Sequence, residues 1–154
     1  MTPPANPDWI AITASPLSAA ELTTWATRPD CGGVVTFSGT VRDHSSAHQG
    51  VEALEYETHE AMAEARLREI VAAGRVRWPD LGAVAVHHRV GHVDLGETAV
   101  VVVVSAPHRQ EAFAAALFLI DTLKATVPMW KRELWEGGSA WSAEATPIQD
   151  VPRP

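Results

Sequence analysis

The 154-residue chain is 46% hydrophobic and 20% charged, a balance that suits one compact domain around a single core and excludes wholesale disorder. A formal net charge of −7 disfavours a general nucleic-acid binder, which is usually basic, but leaves room for one local cationic pocket. The single cysteine, Cys31, excludes an internal disulfide and a cysteine-based metal cluster.

Residues 1–8 read as an irregular tail without the basic and apolar regions of a signal peptide. The apolar stretches 99–106 and 112–120 are too short to span a bilayer, so a soluble, cytoplasmic protein is expected. Residues 9–13 alternate as a short strand. Ser18 and Glu21 form a capping-box pattern that predicts a helix over 19–26. The sequence Pro29-Asp30-Cys31-Gly32-Gly33 breaks the chain. A β-branched strand follows over 34–41 and ends at Arg42. Residues 43–50 have loop composition, and 51–57 read as a strand.

A helix is predicted over 59–73, with Thr58 as its cap, Met62, Ala65, Ile70 and Ala73 on or near its apolar face, and Gly74 as its end. A turn at 78–82 leads to a strand at 83–90, and 91–97 reads as a connection with two glycines. The stretch 98–106 is apolar on both faces and is expected to be a central strand. Pro107 suits the first turn of a helix over 108–125, whose stripe is Phe113, Leu117, Ile120, Leu123 and Val127, with Pro128 ending it. A strand at 129–135, a turn at 136–139, a short strand at 140–144 and an irregular tail at 146–154 complete the chain. There is no internal repeat or dividing linker, so one domain over 1–154 is expected. The order of elements argues α+β with a mostly antiparallel sheet and packed helices.

The chain has ten arginines but only two lysines, Lys124 and Lys131, close together. Compositional bias explains the arginines but not this pairing. Only lysine offers a primary amine that burial can shift toward neutrality, whereas arginine stays charged.

Several segments together resemble the large subunit of molybdopterin synthase, the MoaE family. They are Gly33-Val34-Val35-Thr36-Phe37-Ser38-Gly39-Thr40-Val41-Arg42, Leu54-Glu55-Tyr56-Glu57 leading to Met62, and His87-His88-Arg89-Val90-Gly91. After these come Ser105-Ala106-Pro107-His108-Arg109-Gln110-Glu111-Ala112-Phe113 and Ile120-Asp121-Thr122-Leu123-Lys124 leading to Val127-Pro128-Met129-Trp130-Lys131-Arg132-Glu133. The resemblance covers residues 9 to 144. It implies an α/β-hammerhead fold with a small added β region, a homodimer, and a heterotetramer with a small ubiquitin-like sulfur-carrier subunit. The carrier's C-terminal Gly-Gly tail, as a thiocarboxylate, would enter the large subunit's pocket. Two sulfurs would pass to cyclic pyranopterin monophosphate to make the molybdopterin dithiolene. By position, the implied substrate contacts are Thr40, Val41, Arg42, His108, Arg109, Lys124, Lys131, Arg132 and Glu133. In one departure, the basic residue that some members carry after the tryptophan matched by Trp141 is missing from Ser142-Ala143-Glu144-Ala145.

The residue chemistry suits that substrate. A cyclic phosphate favours arginine forks and lysine charges, which Arg42, Arg109 and Lys131 supply. His108 and Arg109 stand at a helix start, where exposed N–H groups and the dipole favour an anion. Lys124 and Lys131 are the candidate catalytic residues. Lys124, expected to be partly buried beside the like charge of Lys131, is the better candidate for acid–base work or for stabilising negative charge, and Lys131 for holding substrate. His108 and Lys124 lie sixteen residues apart on one predicted helix, about 24 Å at about 1.5 Å per residue. One small substrate cannot bridge that distance, so a site shared across a dimer is expected.

His87, His88 and His92 form the densest histidine group, but neighbours on a strand point to opposite faces, and no His-Glu-x-x-His spacing occurs. Neither a metal nor a cofactor is expected. Cys31, beside two glycines, reads as a turn or buried small residue. Two competing readings are a noncatalytic docking module for a ubiquitin-like carrier and a different small-molecule transferase using the anion pocket. A docking module would tolerate Lys124→Arg.

Overall fold

The computed structural model describes residues 1–142 and 149–153. In chain order the elements are β1 (Asp8–Thr13), α1 (Ala19–Ala26), β2 (Gly33–Thr40), β3 (Val51–Thr58), α2 (Glu60–Arg77), β4 (Val84–Arg89), β5 (Gly91–Asp94), β6 (Thr98–Ala106), α3 (Arg109–Thr126), β7 (Met129–Trp135) and β8 (Gly138–Trp141). They form two four-stranded sheets, ordered β1-β4-β6-β2 and β5-β3-β7-β8. Among the described residues only the β1–β4 pair is parallel, so the expected α+β class with mostly antiparallel sheets holds. Among the described residues no helix is long and apolar enough to cross a membrane.

The predicted central strand is β6, and all its residues after Thr98 are buried. Strand alternation divides its side chains between two cores. Val100, Val102 and Val104, with Val84 and Val86 of β4, face α2 and α3. Val101 and Val103, with Ala85, Trp9 and Leu22, form a smaller cluster against α1. The same alternation continues to the end of β4. His87 lies edge-on to Trp9, with ring centres 5.0 Å apart, and His88 lies edge-on to Tyr56 at 5.1 Å. The two neighbours therefore do point to opposite faces.

Local signals placed several ends correctly. The Ser18 hydroxyl accepts a hydrogen bond from the Glu21 amide at 3.2 Å, as the capping box requires. Pro128 ends α3 after the Val127 amide has bonded back to the Leu123 carbonyl at 3.0 Å.

Other expectations are corrected. Asp8 belongs to β1 and is gripped by Arg75, whose Nε lies 2.9 Å from its carboxylate. Gly74 does not end α2; it is buried inside the helix, which continues to Arg77 and stops before Pro79. The cap is His59, because the Thr58 hydroxyl donates instead to the Pro128 carbonyl at 2.5 Å. The buried stripe of α2 is Ala63, Leu67, Ile70, Val71 and Gly74. Met62 is 59% exposed and Ala65 is also on the solvent side. Residues 91–94, expected as a connection, form β5 and pair with β3, starting from Gly91 at φ +78°. Pro107 precedes the His108 cap of α3 rather than standing in its first turn. The hairpin strand β8 begins at Gly138, and residues 143 and 144 of the predicted strand lie outside the described residues.

The stripe of α3 is the largest correction. Ile120, Leu123 and Val127 are buried as expected, but Phe113 and Leu117 are 64% and 61% exposed. Ala112, Ala115, Ala116 and Leu119 take the inner face, and small side chains let the helix lie close to the sheet. Removing Leu119 is therefore expected to open a core cavity. Leu119→Ala should lose about 2–5 kcal/mol in urea unfolding, whereas Phe113→Ala should stay within about 0.5 kcal/mol in the isolated protomer.

Burial also gives the fold a pH dependence. Desolvation pushes His87 down to about 4, with the N-terminal ammonium adding to the effect. His88 is pushed to about 4 chiefly by burial, against the opposing pull of its hydrogen bond to the Arg89 carbonyl, and the Lys124 charge adds to the lowering. The unfolded chain, with imidazoles near 6.5, binds these protons more tightly than the folded one. Stability is thus fully present above pH 6.5 and is lost as pH falls toward 4. His88→Leu should make the drop in urea midpoint between pH 7 and pH 4.5 smaller than in the parent protein.

Candidate functional site

A cleft of about 840 Å³ opens where the two sheets meet the C-terminal end of α3. Its walls come from distant parts of the chain. β2 supplies Phe37 to Thr40, β3 supplies Leu54 and Tyr56, and β4 supplies His88. α3 supplies Ile120, Leu123 and Lys124, and β7 supplies Met129, Trp130, Lys131 and Glu133. The segment after β2 adds Arg42, His44 and Ser45.

Register explains which charges reach the cleft. β3 and β7 pair so that Tyr56 stands opposite Lys131 and Leu54 opposite Glu133. All four line the cleft. Arg132, one residue out of phase, stands opposite Glu55 and forms an ion pair with it, its guanidinium 5.7 Å from the Trp141 ring centre. The structure therefore brings Lys131 and Glu133 into the cleft and turns Arg132 away from it.

Glu133 is 2% exposed. Its carboxylate accepts hydrogen bonds from Ser45 Oγ at 3.0 Å and from His48 Nδ1 at 2.9 Å, and the His48 ring stacks on Trp135 at 4.3 Å. Both donors come from the segment between β2 and β3, so the buried carboxylate ties that segment to β7. This gives Glu133 an organising role, distinct from the substrate contact expected of it. Arg42, at the start of the same segment, is exposed, and its Nε donates to the His44 carbonyl at 2.9 Å.

Thr40 lines the cleft. Val41 does not. The β2–β6 register shifts between Gly39 and Thr40, and the Val41 amide turns to the Glu97 carbonyl at 3.0 Å. Its side chain is buried with Val93 and Ala99. Lys124 reaches the cleft from the last turn of α3 but is exposed rather than partly buried in the single chain. His108 and Arg109 are exposed at the other end of that helix and are not among the cleft-lining residues. The separation expected from the sequence is therefore real. Cys31 is half-buried against Gly82, where an added Cβ would come within 2.5 Å of its sulfur. It too stands apart from the cleft.

Sequence reasoning missed Tyr56 and His88 as cleft residues. Burial raises the Tyr56 hydroxyl to about 12, so it stays a neutral hydrogen-bonding group. The signal for His88 was present in strand parity, since Val84, Val86 and His88 share the α3 face of β4. The cleft thus combines three cationic side chains, Arg42, Lys124 and Lys131, with the buried carboxylate of Glu133, neutral polar groups and exposed aromatic rings at Trp130 and Trp141. That lining can hold an anionic, partly planar molecule.

Comparisons with known proteins identify the family. Residues 12–126 match the family model described as MoaE protein. A molybdopterin synthase catalytic subunit from Taeniopygia guttata is 39% identical over 137 residues, covering 89% of this chain and 88% of the relative. The crystal structure of molybdopterin synthase from Staphylococcus aureus superposes with a TM-score of 0.80 at 34% identity, covering 86% of this chain and 96% of that one. The fold is shared with a chain from a complex of subunits 1 and 2 of molybdopterin-converting factor from Helicobacter pylori, at a TM-score of 0.72 and 20% identity over 93% of this chain and 95% of that one. The chain belongs to the MoaE protein family.

Proposed function

We propose that this protein is the catalytic large subunit of a molybdopterin synthase. It would transfer two sulfurs from the thiocarboxylated C-terminus of a small ubiquitin-like carrier to cyclic pyranopterin monophosphate. The observation that carries this reading is the cationic cleft itself, in a chain of net charge −7, with Lys124 and Lys131 converging from α3 and β7. Family membership supplies the reaction class, and the curated relatives carry the name molybdopterin synthase catalytic subunit.

In this reading Lys131 and Arg42 hold the phosphate by charge-assisted hydrogen bonds. Lys124 stands at the reacting end and stabilises the anion that develops when the thiocarboxylate sulfur attacks, or donates a proton to the departing oxygen. Each attack forms a carbon–sulfur bond to the pterin side chain, and hydrolysis of the acyl–sulfur bond then frees the carrier as its carboxylate. Trp130 and Trp141, about half exposed at the cleft, offer apolar surface for the arriving carrier. The carrier would cover Lys124 and supply the burial that the single chain lacks.

A second copy completes the site. The exposed Phe113 and Leu117 lie one turn apart on α3, an arrangement that favours an apolar contact. His108 and Arg109 of one protomer would then reach substrate beside Lys124 of the other, giving a homodimer that binds two carriers.

Mixing thiocarboxylated carrier with the pterin substrate should give the dithiolene product by mass spectrometry. Absence of product with both partners bound would refute the enzymatic reading. Lys124→Ala should lower turnover by about 10²–10⁴-fold, and Lys124→Arg should be nearly as poor, whereas a docking module would bind carrier equally well in both variants. Mixed dimers of a Lys124→Ala chain with a His108→Ala chain should regain activity that each homodimer lacks. No recovery would place both groups in one protomer's site.

A further inference from the structure

The segment between β2 and β3 folds back on itself as a small hairpin. The Val51 amide donates to the Asp43 carbonyl at 2.8 Å, and His44 bridges to Gln49. Nearer the tip, the Ser45 amide donates to the His48 carbonyl at 2.8 Å. The Ser45 hydroxyl accepts from the Ala47 and His48 amides at 3.2 Å and 3.1 Å, as in a serine turn. The same hydroxyl donates to Glu133, and His48 Nδ1 lies 2.9 Å from the same carboxylate oxygen. A carboxylate only accepts, so Nδ1 carries the proton. The other constraint on the imidazole is its stack on Trp135, with the ring planes 18° apart. His48 is thus clamped between two residues of β7, and the hairpin tip is clamped with it.

Arg42 stands at the base of this hairpin and is joined to it. Its Nε donates to the His44 carbonyl at 2.9 Å. That carbonyl belongs to the same peptide unit as the Ser45 amide. In a trans peptide the carbonyl and the N–H point in opposite directions. The bond from the Ser45 amide to the His48 carbonyl therefore sets the direction in which the acceptor for Arg42 points. An unbroken chain of contacts runs from Glu133 through His48 and Ser45 to His44 and Arg42. Lys131 lies two residues before Glu133 on the cleft face of β7. One strand thus sets the place of both cations, Lys131 through its own backbone and Arg42 through the hairpin.

We propose that His48 is a positioning residue for the anion grip of the cleft. Held by Glu133 and Trp135, it fixes the hairpin so that Arg42 closes with Lys131 on the substrate's phosphate. The inference rests on the sulfur-transfer reading above. Arg42, His44 and Ser45 line the cleft, whereas His48 does not, so His48 acts through Arg42 and touches no substrate. The bond to His44 takes the Nε–H of the guanidinium, and the fork of terminal nitrogens is the part that can grip an anion. An exposed arginine must give up rotamer freedom to bind. The tether removes part of that freedom beforehand, so its effect falls on substrate binding and not on the chemical step.

The tether and its consequence can be read separately. In the full chain labelled with 15N-arginine, Arg42→Lys assigns the Arg42 Nε–H signal, whose hydrogen exchange is then followed in the parent, His48→Ala and His48→Asn. Asparagine can present an N–H close to the Nδ1 position. If the alanine variant does not fold, His48→Phe replaces it, keeping a ring on Trp135 without the donor. Exchange at Arg42 should be at least about fivefold faster in the alanine or phenylalanine variant and return to the parent rate in the asparagine variant. With carrier and pterin present, the donorless variant should raise KM for the pterin at least about tenfold with kcat within about threefold. His48→Asn should recover KM to within about threefold of the parent. Because His48 acts through Arg42, adding His48→Ala to Arg42→Ala should change KM by less than about twofold. An unmoved Arg42 signal in the donorless variant overturns the proposal, whatever the activity. Equal KM in the donorless and asparagine variants overturns it, as do a fall in kcat at unchanged KM and effects that multiply in the double variant. A parent protein that makes no dithiolene refutes the sulfur-transfer reading, and the Arg42 signal still decides the tether.

Discussion

Two-sided burial of β6 is the constraint on which the rest of the molecule depends. A strand buried from Ala99 to Ala106 needs apolar cover above and below, and three helices provide it. α2 and α3 share one face and α1 takes the other. Because side chains alternate along a strand, that one requirement settles the facing of β4 beside it. It sends His87 toward Trp9 and His88 toward α3. The end of α3 is in turn set by how its alanine-lined face lies on the sheet. Lys124 therefore reaches the cleft because of packing decisions made far along the helix.

The second sheet converts this scaffold into a site. β3 and β7 join residues 71 to 84 positions apart in sequence, and their pairing puts Lys131 and Glu133 on the cleft face while Arg132 is spent on Glu55. The buried Glu133 then draws Ser45 and His48 in from the segment after β2. Removing one partner of such a buried, bonded carboxylate leaves polar groups unsatisfied, a cost usually greater than the net value of the bond itself. That asymmetry makes the segment an ordered wall of the cleft.

Much of this was legible in the sequence, for identifiable reasons. The strands with β-branched runs, the Ser18 cap and the stop at Pro128 carry their information within a few residues. Lys124 and Lys131 stood out because amines are so scarce in this chain. The phases of α2 and α3 were misread because alanine takes buried positions in both helices and glycine takes one in α2. Large side chains weigh more in a pattern, yet Met62, Phe113 and Leu117 face solvent. Val41 was misplaced by the register shift before it, which turns the residue into a core. His88 was overlooked because its pairing with His87 invited only a question about metals. The cleft as a volume depends on long-range strand pairing, which no local pattern encodes.

The small residues beneath α3 have a consequence for how this protein tolerates change. Ala112 and Ala115 are fully buried and Ala116 almost so, leaving little space for a longer side chain. Any enlargement there lifts one stretch of the helix while Pro128 holds its far end, and the axis must tilt. The last turn, which carries Lys124, would swing with it. Substitutions more than a helical turn from the cleft would then read as catalytic lesions in a protein that still folds. Selection acting on the chemistry would be felt as selection on the thickness of the layer between helix and sheet.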